Sequence, residues 1–175
     1  ALACIERYTM NQEQLSKISN CIADLNSLME RCIQVTNRLL YLDTESTVEE
    51  LNTTIEERGV IIDQLTERKA ELDNRIAALP QSDQDSLLNI INGSFSANTI
   101  PDELKGIQSG AINMHSLYLE VIEGDKKANA RVRAVYSELK DKLESLNQAK
   151  KKLDYYSNMN YTNKPKKGNS FDSQT

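Results

Sequence analysis

Apolar residues recur along this chain at steps of three and four, the spacing that aligns side chains on one face of an α-helix. Between about Asn11 and Leu42 they fall at Leu15, Ile18, Ile22, Leu25, Met29, Cys32 and Leu39, with Thr36 the one polar residue on the stripe. A second row, Cys21, Leu28, Val35 and Leu42, repeats every seven residues beside the first. One seam suits a two-stranded coiled coil, whereas two adjacent seams make a face wide enough for two partner helices. The pattern predicts a helix over 11–42 that belongs in a bundle.

"DTESTVEE" interrupts the rhythm and restarts it. Ser46 and Thr47 each precede a glutamate by three positions (Glu49 and Glu50), the arrangement in which a hydroxyl and a carboxylate cap free backbone amides reciprocally. A second helix over 47–79 then carries Val48, Leu51, Ile55, Ile62, Leu65, Leu72, Ile76 and Leu79, and stops before Pro80. Arg58 and Lys69 stand where an apolar residue is due. Either their stems cover the edge of the seam with the charge in water, or they set register or meet an acidic partner.

Between Pro80 and Pro101 the period loosens. "SDQDSLLNII" predicts a short helix over 83–92, capped by Ser82 and burying Leu87, Leu88, Ile90 and Ile91. "NGSFSANT" reads as a loop, either crossing the end of the bundle or forming a flap. A long helix over 102–156 follows, with Thr99 at or near its cap, Pro101 in the first turn, and Asp102 and Glu103 complementing the dipole. Its stripe runs from Leu104, Ile107, Ala111, Met114, Tyr118 and Val121 through Ala128 to Leu153. At 1.5 Å per residue it would reach roughly 80 Å, against about 50 Å for each of the first two. Either "EGDKK", around Gly124, bends it, or one end projects and needs another partner. Gly106 and Gly110 either admit a close helix contact or simply weaken the start of this helix.

The expected fold is all-α: an antiparallel helical bundle or coiled-coil hairpin over 1–156, with one long C-terminal helix and a flexible tail over 157–175. The tail is too poor in apolar residues to fold alone. From Lys150 onward six lysines face only Asp154 and Asp172, so the end is basic while the whole chain carries a formal charge of −5. That balance argues against nucleic-acid binding, which needs a basic face to displace counterions. No apolar run approaches the roughly 20 residues that span a bilayer, so stable membrane insertion is not expected. The opening lacks the basic start of a signal peptide, and Met10 is an alternative start. Cys21 and Cys32, eleven apart on one helix, would lie about 16 Å apart, too far for a disulfide; they read as small buried residues in a reducing cytosol.

Catalytic chemistry finds no foothold. His115 is the sole histidine, and no glutamate stands three residues before it to build a carboxylate–histidine metal pair. There is no phosphate-cradling glycine loop and no zinc spacing among the cysteines. Asp83 and Asp85 begin like a calcium loop, but Leu87, Leu88 and the missing central glycine exclude one. No catalytic, cofactor-binding or metal residue is assigned, and an enzyme is not expected.

The order of features resembles a known family. A helix containing "VEELNTTIEERGVIIDQLTERKAELDNRI", a variable segment, a long lysine-ending helix and the close "DYYSNMNYTNKPKKGNSFDSQT" are similar to the flagellar export chaperones of the FliT and FlgN type, in their longer Gram-positive forms. Leu51–Leu65, with Arg58 followed by "VIIDQL", is similar to the family's arginine–aliphatic portion, and the tyrosines followed by Gly168, Phe171 and Asp172 to its ending. The resemblance implies a cytoplasmic chaperone of type III export. It would bind the amphipathic helical end of a hook-associated or filament-cap subunit and deliver it to the export gate or export ATPase, with homodimerisation an option. It assigns Val132, Val135, Leu139, Leu143 and Leu146 to a substrate groove, unless those five simply face the first two helices. It assigns Tyr155, Tyr156 and Tyr161 to aromatic docking, with Lys164, Lys166 and Lys167 steering toward an acidic surface. The alternative is an idle terminus in which the tyrosine pair merely finishes the helix. The rival reading is a homodimeric helical scaffold or spacer with no export role.

Overall fold

Asn11 opens the first helix with a reciprocal cap. Its side chain accepts from the Gln14 amide at 2.8 Å while the Gln14 side chain accepts from the Asn11 amide at 3.0 Å, which satisfies two of the backbone donors that a helix start leaves free. The structure is a computed structural model and describes residues 10–42, 48–94 and 100–162, with side chains to Asn158. It is an all-α helical bundle of α1 (Gln12–Tyr41), α2 (Val48–Ala77), α3 (Gln81–Ile91) and α4 (Lys105–Thr162), the last entered through a 3-10 turn at Asp102–Leu104. None of the described helices is long and apolar enough to cross a membrane. The expected caps at Ser46, Thr47 and Thr99 lie outside the described residues.

By density of contacts the chain forms two units, Ala1–Val132 and Arg133–Thr175. In the first, α1 is the central element, as its doubled seam predicts. Ile18, Cys21, Ile22, Leu25, Met29, Cys32, Val35 and Leu39 are all buried, along with Asn26 and the polar intruder Thr36. On one side α1 meets α2, with Ile61 packed against Cys32 and Val35. On the other it meets the first part of α4, running in the same direction: Asn26 donates to the Gly110 carbonyl at 3.0 Å, and Arg131 donates to the Leu42 carbonyl at 2.6 Å.

Three expectations are corrected. On α2 the buried stripe is Leu51, Thr54, Ile61, Leu72 and Ile76, while Val48, Ile55 and Ile62 are exposed. Arg58 does lie on the interior line, as its seam position predicts, and there it donates to Thr36 Oγ1 at 3.0 Å and pairs with Asp125. Arg58 therefore sets register through an acidic partner within the chain, whereas Lys69 lies exposed beside Asp73. The short helix starts at Gln81 with Pro80 as its cap residue, so Ser82 lies inside it, and Leu88 is exposed. Finally, α4 is one helix through Gly124 and on to Thr162, six residues past the expected end at 156. No glycine or proline intervenes between Gly124 and Pro165, so nothing in the backbone chemistry stops it earlier.

Candidate functional site

Two helices packed on opposite flanks of a third leave a trough between them, and here the trough is apolar. Its floor is Leu25 and Met29 of α1, one wall is Ile62, Leu65 and Thr66 of α2, and the other is Met114, Tyr118, Val121 and Ile122 of α4. The recess measures about 720 Å³. All of these residues belong to the first unit. Tyr118 is 53% exposed and Ile62 38%, so the walls present part of two large apolar side chains to solvent.

Both ends of the trough are defined. At one end α3 stops: its three core residues Leu87, Ile90 and Ile91 share the main core with Leu72 and Ile76 of α2 and Ile107 and Ala111 of α4. The Ile91 carbonyl lies 2.9 Å from His115 Nε2. At the other end Arg58 of α2 reaches Asp125 of α4 and ties the walls together. Met114 to Lys126 covers about 18 Å of helix axis at 1.5 Å per residue, room for roughly three turns of a visiting helix. α3 therefore fills the space between α2 and α4 over the first turns of α4, and the vacancy begins where it ends.

The electrostatics of the rim are biased. Arg58, Lys69 and Lys126 line the trough with Asp125 as the one lining carboxylate; Arg58 is paired with Asp125, and Lys69 with Asp73 beside the rim. His115 at the mouth is held by its contact with the Ile91 carbonyl. Among the described residues no cluster of histidine, cysteine and carboxylates is arranged to hold a metal ion. What the arrangement can do is bind: an apolar trough with a cationic edge recognises an amphipathic helix with acidic flanks.

The substrate groove assigned from the sequence lies further along α4 than the trough. Of the five residues assigned to it, Val135 is buried, Val132 and Leu139 are half-buried, and Leu143 and Leu146 are exposed at 62% and 67%. They do not form the trough. Tyr155 and Tyr156 stand on the last turns of α4, exposed and edge-to-face with ring centres 5.9 Å apart. Tyr161 falls on the helix backbone, and Lys164, Lys166 and Lys167 lie outside the described residues. The trough does have a signal in the sequence: the adjacent pairs Ile61–Ile62, Leu117–Tyr118 and Val121–Ile122. Neighbouring helical residues point about 100° apart, so when one of a pair faces the core the other opens a second apolar face.

No protein-family model, curated protein or solved structure matches the chain.

Proposed function

We propose that this protein is a binding module that captures an amphipathic helix of another protein, and that it catalyses no reaction. The carrying observation is the open apolar trough between α2 and α4, closed at one end by α3 and at the other by the Arg58–Asp125 pair. A helix of about three turns with apolar residues at i, i+3 or i+4, and i+7 extends the bundle past α3, and acidic residues on its flanks meet Lys69 and Lys126. The fit is short, so the affinity is modest and release remains feasible.

The partner that best suits such a trough is a secreted subunit whose terminal helix lacks its assembly partners before export. In that reading the protein is a cytoplasmic chaperone of flagellar type III export. It receives the helical end of a hook-associated or filament-cap subunit and passes it to the export gate or its ATPase, the exposed Tyr155–Tyr156 end of α4 serving the second contact. The test is a fluorescence titration with labelled C-terminal peptides of such subunits, beside the same peptides with their acidic flanks reversed to lysine. One-to-one binding, weakened about tenfold or more by charge reversal and by Ile62→Asp or Tyr118→Asp, is expected. Equal binding by the Asp variants, with unchanged melting, overturns the assignment of the trough.

A further inference from the structure

α3 and the trough follow one another along the same groove between α2 and α4, and the walls of that groove repeat. Ile22 of α1, Leu72 of α2, and Ile107 and Ala111 of α4 share the core with α3. Seven residues further along the bundle stand Met29, Leu65, Met114 and Tyr118, all of which line the trough. The count rises on α1 and α4 and falls on α2, which runs antiparallel to α1, with Glu57 beside Arg38 and Arg68 beside Asp24. Seven residues make nearly two turns, roughly 10 Å of axis, and return a side chain to within about 20° of the same face. What changes is the cover. Beside α3, Leu72 is 2% and Ala111 1% exposed, whereas past its end Leu65 is half-buried and Tyr118 53% exposed. Lys69, seven residues before Ile76, departs from the repeat and makes the α2 rim polar.

α3 supplies the pattern and the direction of what fits. It buries Leu87, Ile90 and Ile91, positions i, i+3 and i+4. Its end meets His115, past Ile107 and Ala111 on α4, so the two helices run the same way. α3 stops there because Gly93, at φ 72°, turns the chain away, with the Gly93 and Ser94 amides donating to the Ile90 and Asn89 carbonyls. The apolar walls continue. A helix entering the trough in α3's direction sets its N-terminus against the C-terminus of α3, which brings opposite dipole ends together; a reversed helix sets two C-termini together. We propose that the trough is a second α3 seat, one heptad on. Resting on the reading of the trough as a helix-binding site, its partner is a helix of another protein that carries a leucine followed by aliphatic residues three and four positions later. That helix lies head-to-tail with α3 and parallel to α4.

The probe is α3 itself: a fluorescent peptide of residues 80–92, held helical by a lactam between Asp85 and Asn89→Lys, two exposed positions. Titrated with the full chain, it is expected to bind one to one. Ile62→Asp or Tyr118→Asp in the protein, each with unchanged circular dichroism, should weaken it by about tenfold or more, and Leu87→Ser with Ile90→Ser in the peptide should abolish binding. On the wild-type protein, a benzophenone at the peptide's amino end should cross-link at Met114 or His115, and one at its carboxyl end between Ile122 and Lys126. Exchanged cross-links overturn the direction. Cross-links around Ile107 mean that the peptide has displaced α3, and overturn the second seat. If the α3 peptide fails to bind while the subunit peptides bind through Ile62 and Tyr118, the repeat is wrong and helix capture stands. Failure of both sets of peptides overturns both.

Discussion

Gly110 packs so closely on Ile22 that a Cβ placed on it would stand 2.9 Å from Ile22 Cγ2. The Ile22 side chain is β-branched and 1% exposed, so it has no room to yield. The same contact lets Asn26 reach the Gly110 carbonyl. Gly106, one turn earlier, has nothing within 4 Å of such a Cβ. Of the two roles open to these glycines from sequence, Gly110 therefore serves the close approach of α4 to α1, and Gly106 does not.

These two positions give opposite expectations for one substitution. Gly106→Ala should stabilise by about 0.5–1 kcal/mol, because alanine loses less backbone freedom in a helix and meets no neighbour. Gly110→Ala gains the same propensity but overpacks the interface, which typically costs about 1–3 kcal/mol, so the net effect should be destabilising. Urea titrations of both variants check this, and a gain at Gly110 would show that α1 and α4 sit further apart.

Ile61 and Ile62 are adjacent and chemically identical, yet Ile61 is 1% exposed and Ile62 38%. Ile61→Ala should cost about 2–4 kcal/mol through lost burial and the cavity left between α1 and α2. Ile62→Ala should cost well under about 1 kcal/mol, because that side chain covers no closed core. Thermal melts of the two variants, recorded together, read the rotation of α2 directly. Comparable losses would mean that Ile62 is covered in the free protein and that the trough is closed.

That pair also marks the limit of what the sequence discloses. The doubled seam of α1 was legible because each of its apolar residues has a helical neighbour three or four away and few competing choices. On α2 the same rule drew the line through Ile55 and Ile62. The interior line keeps Arg58, which finds Thr36 and Asp125 across the bundle, but takes Thr54 and Ile61 in place of Ile55 and Ile62. A cation is tolerated on an interior line only when its partners are in place, and those partners come from other helices. The trough was only half legible for the same reason: the adjacent apolar pairs mark its walls, but the space between helices is encoded by no single helix. The cap at Asn11 and Gln14 was overlooked because an amide pair stands where hydroxyl and glutamate are the usual signal.

Arg58 joins all three long helices, and its side chain is 15% exposed against 45% for Asp125. Asp125→Asn keeps the shape but removes the charge, and should cost about 1–2 kcal/mol, between an exposed pair and a buried one. Arg58→Ala should cost more, since the buried Thr36 hydroxyl also loses the group that donates to it and the long stem leaves a gap. A double-mutant cycle with Asp125→Asn measures the coupling. A coupling energy near zero would mean that the pair contributes nothing to holding α2 against α4.

The exposed ion pairs predict the acid limb of stability. Arg75, which hydrogen-bonds to Glu71 at 2.5 Å, holds that carboxyl below its ordinary value of 4.5, and Arg68 adds to the effect. Lys17 does the same for Glu13, Lys105 for Asp102 and Lys127 for Glu123. A carboxyl depressed in the folded state contributes stability that is complete above its unfolded value and lost as pH falls through the folded one. The melting temperature should therefore hold steady from neutrality to about pH 4.5 and decline below it. Raising ionic strength should flatten the decline, because every one of these pairs faces solvent. Glu71→Gln should lower the plateau slightly and shrink the fall on acidification, since the mutated group no longer takes up a proton. A melting profile with its main loss above pH 6 would show that these carboxyls do not set the acid limb.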